Sequence, residues 1–306
     1  MNVRHLHRKR MAWTVLLVLL LNVAGLTKAF AQEQFEADNL LYTIISTTPP
    51  TVSLDGHVDG TSASDELVIP ETVENGSITY TVTAIGDNAF ANYTDMYGDI
   101  DIPNTVLTIG SHAFDNAGFD GNLTIGTSVT TIGSYAFANL GSTGGDLHIP
   151  NSVTQIGDHA FYQSYFDGTF VLSNAVVSIG EYAFYGCQYM TASPLALPNT
   201  LSMLGDYAFY HCAGLTGRLT LSTSLTSIGA HSFDGCGFTQ LNFGSTTNSQ
   251  LQSIGDYAFY NCSSMTGNLA FPLNIQSVGQ YTFANCGFTG NLNLRNIQTI
   301  GAYAFS

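Results

Sequence analysis

From residue 84 onward, apolar and polar positions recur with one long period. The pattern Ile-Gly-x-x-Ala-Phe, allowing close substitutes, occurs ten times, at spacings of 22 to 26 residues. Its glycines are Gly86, Gly110, Gly133, Gly157, Gly180, Gly205, Gly229, Gly255, Gly279 and Gly301. Self-similarity of this period marks a solenoid, because a single coil of that length cannot bury its apolar face alone and must stack on its neighbours.

Within each copy an alternating segment comes first. Examples are Ile100-Asp101-Ile102, Leu123-Thr124-Ile125, Leu147-His148-Ile149, Leu219-Thr220-Leu221 and Leu292-Asn293-Leu294. Apolar residues two apart predict a strand buried on one side, and the proline that often follows, as in Ile102-Pro103 and Phe271-Pro272, stops it. One such strand per coil predicts a continuous parallel sheet of about nine strands with rungs about 4.8 Å apart. A buried residue then precedes the isoleucine by three (Val106, Val129, Val153, Val176), and a polar residue follows the glycine (Asp87, Asp158, Asp206, Asp256). An Asp there suits the N-cap of a short helical or 3₁₀ turn on the return side. The inward Ala and Phe of that turn form a ladder from Phe90 to Phe305.

Residues 32 to 83 depart from the repeat. Leu40 to Ser46 and Ile78 to Val82 alternate as strands, and Asn75-Gly76 between Thr72-Val73 and Ile78 is a hairpin turn signal. A solenoid needs a terminal cap. The expected organisation is therefore a β-rich N-terminal cap over 32–83 followed by an array over 84–306. Ser306 follows Ala304-Phe305 with no second cap, which predicts an array that continues beyond this sequence.

The first 31 residues carry Arg4, Arg8, Lys9 and Arg10, then an apolar run from Met11 to Leu26, then Ala29-Phe30-Ala31. This is the pattern of a cleavable secretory signal, 1–31, and the run is short for a membrane span. Removal of that segment leaves Arg218 and Arg295 as the basic residues against 22 acidic ones, a formal charge of −20. Such a chain lacks the cations that bind nucleic acid or anionic membrane surfaces, so neither is expected as a partner. A secreted or cell-surface location with no membrane insertion after signal removal follows.

The repeated stretch Pro150-Asn-Ser-Val153-Thr-Gln-Ile156-Gly-Asp-His-Ala160-Phe161, with a cysteine three residues after the phenylalanine in the later copies, resembles the BspA-type leucine-rich repeat family. The likeness spans roughly residues 65 to 306. It implies a leucine-rich-repeat solenoid used for adhesion or host-protein binding, with no catalytic residues to carry over. The family's cysteine position is Tyr93, Ala117, Leu140 and Ser164 in the first four copies, and no C-terminal anchoring domain is seen.

Residues able to carry chemistry are placed by the repeat. Cys187, Cys212, Cys236, Cys262 and Cys286 share one position, which predicts a ladder of small buried thiols and not a disulfide framework. His112, His159 and His231 stand where other copies have Tyr135, Tyr182 or Tyr207, which argues against a metal site or a catalytic base. Asp99 and Asp146 share a column with Asn122 between them, which suits a solvated polar ladder better than a weak calcium site. The Asn-x-Ser/Thr sequences at Asn75, Asn92, Asn122 and Asn261 carry meaning only in a glycosylating host. No cofactor or metal is called for, and no nucleophile and base pair emerges.

The expected function is therefore a non-catalytic binding or adhesion module that meets an extracellular protein or glycan on its strand face. The residues between the buried strand positions form that face: Asp101, Thr124, His148, Val171, Ala196, Thr220, Asn242, Ala270 and Asn293, with Asp99 and Asp146 beside them. The alternatives are a structural stalk that displays a further domain and, less well supported, a glycan-processing enzyme.

Overall fold

Two short strands per coil, not one, hold the repeats together. The computed structural model describes residues 33–58, 67–141, 144–294 and 296–306. The expected signal segment and Arg295 lie outside those residues. All the strands lie in the compact unit Gln34–Ser306.

Five strands come first: β1 (Gln34–Ala37), β2 (Leu40–Thr47), β3 (Pro50–His57), β4 (Thr72–Asn75) and β5 (Ile78–Ile85). The first three form an antiparallel meander, and β4 and β5 form the hairpin expected at Asn75-Gly76, with Gly76 at φ +65°. Strand β5 also runs parallel to β3, which carries this β-rich region directly into the array.

The longer ladder, in two runs, is built from the segment just before each repeat glycine. From β5 it runs through Thr108–Ile109, Thr131–Ile132, Gln155–Ile156, Ser178–Ile179 and Met203–Leu204, in one ten-stranded sheet that includes the entry strands. A second run joins Ser227–Ile228, Ser253–Ile254, Ser277–Val278 and Thr299–Ile300. Glycine follows because the coils close tightly here. A Cβ on Gly133 would lie 2.6 Å from the carbonyl carbon of Gly110.

The Leu-x-Ile strands expected to make the sheet do pair in parallel, but in four separate groups. Ile100–Asp101 pairs with Leu123–Thr124, and Leu147–His148 with Phe170–Val171. Leu195–Ala196, Gly217–Thr220 and Phe238–Asn242 form the third group, and Leu269–Ala270 with Leu292–Asn293 the fourth. Two of the three breaks fall at the longest steps, 25 residues from Phe170 to Leu195 and 28 from Leu241 to Leu269. At the first of these steps the coils still meet, with Thr169 bridged to Thr191 and the Phe170 amide donating to the Thr191 carbonyl at 2.7 Å, so the extra chain takes Leu195 out of register with Phe170.

No helix occurs among the described residues on the return side. Alternate backbone amides leave the turn: His112, Phe114 and Asn116 donate to Ser134, Ala136 and Ala138 of the next coil at 2.8, 2.8 and 2.9 Å. The amides between them, Asp115 and Ala117, donate back within the turn to His112 and Phe114. An α-helix would spend every interior amide on its own segment. The positive φ of His112 (56°) and Asn116 (54°) breaks the helical path and aims every second amide outward. The expected Asp N-cap is also redirected. Asp87 Oδ1 accepts the amide of Ser111 at 2.7 Å and Asp158 Oδ1 that of Glu181 at 2.9 Å, so each carboxylate caps the following coil.

The core is the expected phenylalanine ladder. Phe114, Phe137, Phe161, Phe184 and Phe209 are fully buried, with successive ring centroids 5.0 to 5.3 Å apart and nearly parallel. Val106, Val129, Val153 and Val176 are fully buried beside them.

Candidate functional site

The residues between the buried positions of the leucine ladder face outward, as the alternation requires. Asp101, Thr124, His148, Val171, Ala196, Asn242, Ala270 and Asn293 are exposed, and Thr220 is half-buried. Flat columns at fixed spacing exist only inside the four groups, with Asp101 opposite Thr124, His148 opposite Val171, Thr220 between Ala196 and Asn242, and Ala270 opposite Asn293.

The first break changes what the face can do. No backbone hydrogen bond joins Leu123 or Ile125 to the Leu147–His148 rung, whereas Ile100 and Ile102 donate to Asn122 and Thr124 one coil earlier, at 2.8 and 2.9 Å. The opening is a groove of about 520 Å³. It brings together Thr124, Asp146, His148 and Val171, with Thr127 and Asn151 at its rim. Hydroxyl, amide, imidazole and carboxylate groups thus surround unpaired strand edges, an arrangement suited to hydrogen-bonded recognition of a polar ligand.

Asp99 and Asp146 also have a structural task. Asp99 Oδ1 accepts the amide of Asn122 and Asp146 Oδ1 that of Thr169, both at 2.6 Å. These bonds start the next strand in register, which explains an acid in that column without a cation.

The five cysteines form the expected ladder and are free, four of them buried and Cys286 half-buried. Each thiol donates to the carbonyl of the phenylalanine one coil earlier, for example Cys212 to Phe184 at 3.0 Å and Cys236 to Phe209 at 3.1 Å. Burial pushes the Cys187 thiol up to about 12, and the others rise for the same reason. A thiol held neutral is a poor nucleophile and metal ligand.

His112, His159 and His231 stand in the tyrosine column, as their repeat position implies. What the alternation did not reveal is that this column is one uninterrupted stack. Nine rings from His112 to Tyr303 follow one another with centroids 4.3 to 5.0 Å apart and planes within 19°. The signal was present as an aromatic in the same repeat position of nine consecutive copies. A second open groove, of about 800 Å³, runs along the second run of the longer ladder and is lined by Ser227, Ser253, Ser277, Asp206 and Asp256.

Comparison with known proteins fits this architecture. The description of the BspA type leucine rich repeat region, in six copies, matches residues 70–191 and 178–306. No curated protein matches the chain. Among solved structures, a leucine-rich repeat protein from Bacteroides ovatus is similar at 22% identity over 88% of this chain and 91% of its own, with a TM-score of 0.46. A leucine rich cell surface protein from Faecalibacterium prausnitzii is 18% identical over 87% and 96%, with a TM-score of 0.38. The pneumococcal vaccine antigen PcpA is 15% identical over 90% and 86%, with a TM-score of 0.36. With ten copies of one coil in register and the family description covering most of the array, the chain belongs to the BspA-type leucine-rich repeat family.

Proposed function

We propose that this protein is a secreted or cell-surface, non-catalytic binding module that recognises an extracellular protein or glycan through the leucine-ladder face. The observation that carries the reading is the groove at the first break of that ladder. It gathers Thr124, Asp146, His148 and Val171 from coils that the sequence places about one repeat apart. Family membership supports a repeat protein without an active site, and the basic, apolar and small-residue succession of residues 1–31 supports export. The −20 charge left after signal removal favours neutral or basic ligands over anionic ones.

The test is direct binding. The purified chain without residues 1–31, probed against extracellular-matrix proteins and neutral mucin glycans, should retain at least one of them saturably. Absence of saturable binding to every member of both sets would overturn the reading.

A further inference from the structure

Nine of the chain's 16 tyrosines lie side by side in two stacks on the return side of the array. Six belong to the nine-ring stack already described. Beside them, Tyr162, Tyr185 and Tyr210 form a second stack at 5.0 and 4.6 Å, and the imidazole of His211 closes on Tyr210 at 4.1 Å. The rings of both stacks cover each other's faces, so what they offer to solvent is their edges and phenol oxygens.

The backbone does not ask for these rings. All nine residues of the first stack sit at φ between 53° and 58°, a left-handed conformation that tyrosine adopts reluctantly and asparagine readily. The first copy shows the unforced choice, because the same position there is Asn88, at φ 59°. The later copies place an aromatic where the local conformation favours Asn, and a departure of that kind points to function.

Charge lies alongside. The residue immediately before the ring is Asp158, Glu181, Asp206 and Asp256 in four copies. Glu181 and Asp206 both act on the Tyr182 phenol, which is held above its usual range first by burial and then by these neighbours and Tyr207. Asp206 and Asp256 also line the 800 Å³ groove of the second ladder run. An acidic column therefore separates a serine-lined and glycine-floored groove from a rigid tyrosine strip.

We infer that this acidic and aromatic strip is a second docking surface, whose partner is an arginine-rich protein segment. The guanidinium group carries five donors in a planar fork and matches carboxylates and phenol oxygens set side by side. Its alkyl stem covers ring edges that a small cation would leave wet. Tyrosine-rich rigid surfaces also lose little side-chain entropy on binding. This inference does not depend on the leucine-ladder reading, because it uses different residues.

The probe is a labelled oligoarginine peptide, titrated against the purified chain by fluorescence anisotropy. Replacing Tyr182, Tyr207 and Tyr257 together by Asn keeps the backbone conformation and the net charge. That variant should bind about tenfold or more weakly. A control, Glu36→Gln with Glu74→Gln, removes two exposed charges outside the array and should bind within about twofold of the parent. Circular dichroism checks each fold, and if the triple variant does not fold, Tyr207→Asn alone should still weaken binding by about twofold to threefold. Parent-like affinity in the folded tyrosine variants would overturn the inference, as would an equal loss in the charge control.

Discussion

The hydroxyl of Ser164 donates to the backbone carbonyl of Phe137 at 2.5 Å. One coil later the thiol of Cys187 makes the corresponding bond to Phe161 at 3.1 Å. Ser164 also accepts the amide of Leu140 at 3.2 Å. From Ser164 onward the column thus places a small hydroxyl or thiol donor against the preceding coil. Ser164→Cys should change stability by less than about 1 kcal/mol. Ser164→Ala should cost about 1 to 3 kcal/mol, because it strands a buried carbonyl and amide. Urea unfolding of both variants checks the order, and an alanine variant as stable as the parent would remove the bond from the account.

The same column makes a chemical prediction. Cys187 and Cys286 are each held neutral with a pKa of about 12, by burial. A thiol-directed alkylating reagent at neutral pH should leave the five cysteines of the native protein unmodified and label all five in denaturant. Rapid labelling of two or more in the native state, or intact bridges after denaturation, would contradict it.

Phe184 lies between Phe161 and Phe209, 5.2 and 5.0 Å from each. Phe184→Ala should destabilise the protein by about 3 to 5 kcal/mol, the range for emptying a large aromatic from a packed core. A loss under about 1 kcal/mol would show that neighbouring coils collapse into the space.

A pH effect follows from the stacked histidines. Burial lowers the pKa of His159 from its usual 6.5, against the opposing pull of Asp158 and Glu181. Its folded pKa is the depressed one, so the unfolded chain takes up the proton first as pH falls. The contribution of this residue is therefore present above the unfolded value of 6.5 and is lost as pH drops through the folded value. His159→Tyr, which restores the commoner residue of the column, should flatten the fall in stability as pH drops below the unfolded value of 6.5. An unchanged fall would assign the acid sensitivity to other groups.

The sequence made the period, the buried strand positions and the phenylalanine and cysteine columns legible, because each follows from which residues are apolar in every copy. The strand that closes the sheet was less so. Thr131-Ile132 and Leu123-Thr124 are equally brief, and the choice between them rests on coil spacing, which Gly133 tightens and the 28-residue step before Leu269 loosens. The turn that replaced a helix depends on positive φ at residues such as Tyr135, a conformation that tyrosine does not announce. The outward direction of Asp101, Thr124 and His148 was readable from alternation alone. The groove that joins Thr124 to His148 was not, because it comes from a rung that fails to close.

The most direct test of the central claim replaces Asp101, Thr124 and His148 together with bulky or charge-reversed residues and measures affinity for a ligand identified with the parent protein. With the fold verified by circular dichroism, affinity should fall by about tenfold or more. Binding as tight as that of the parent would show that the leucine-ladder face is not the site.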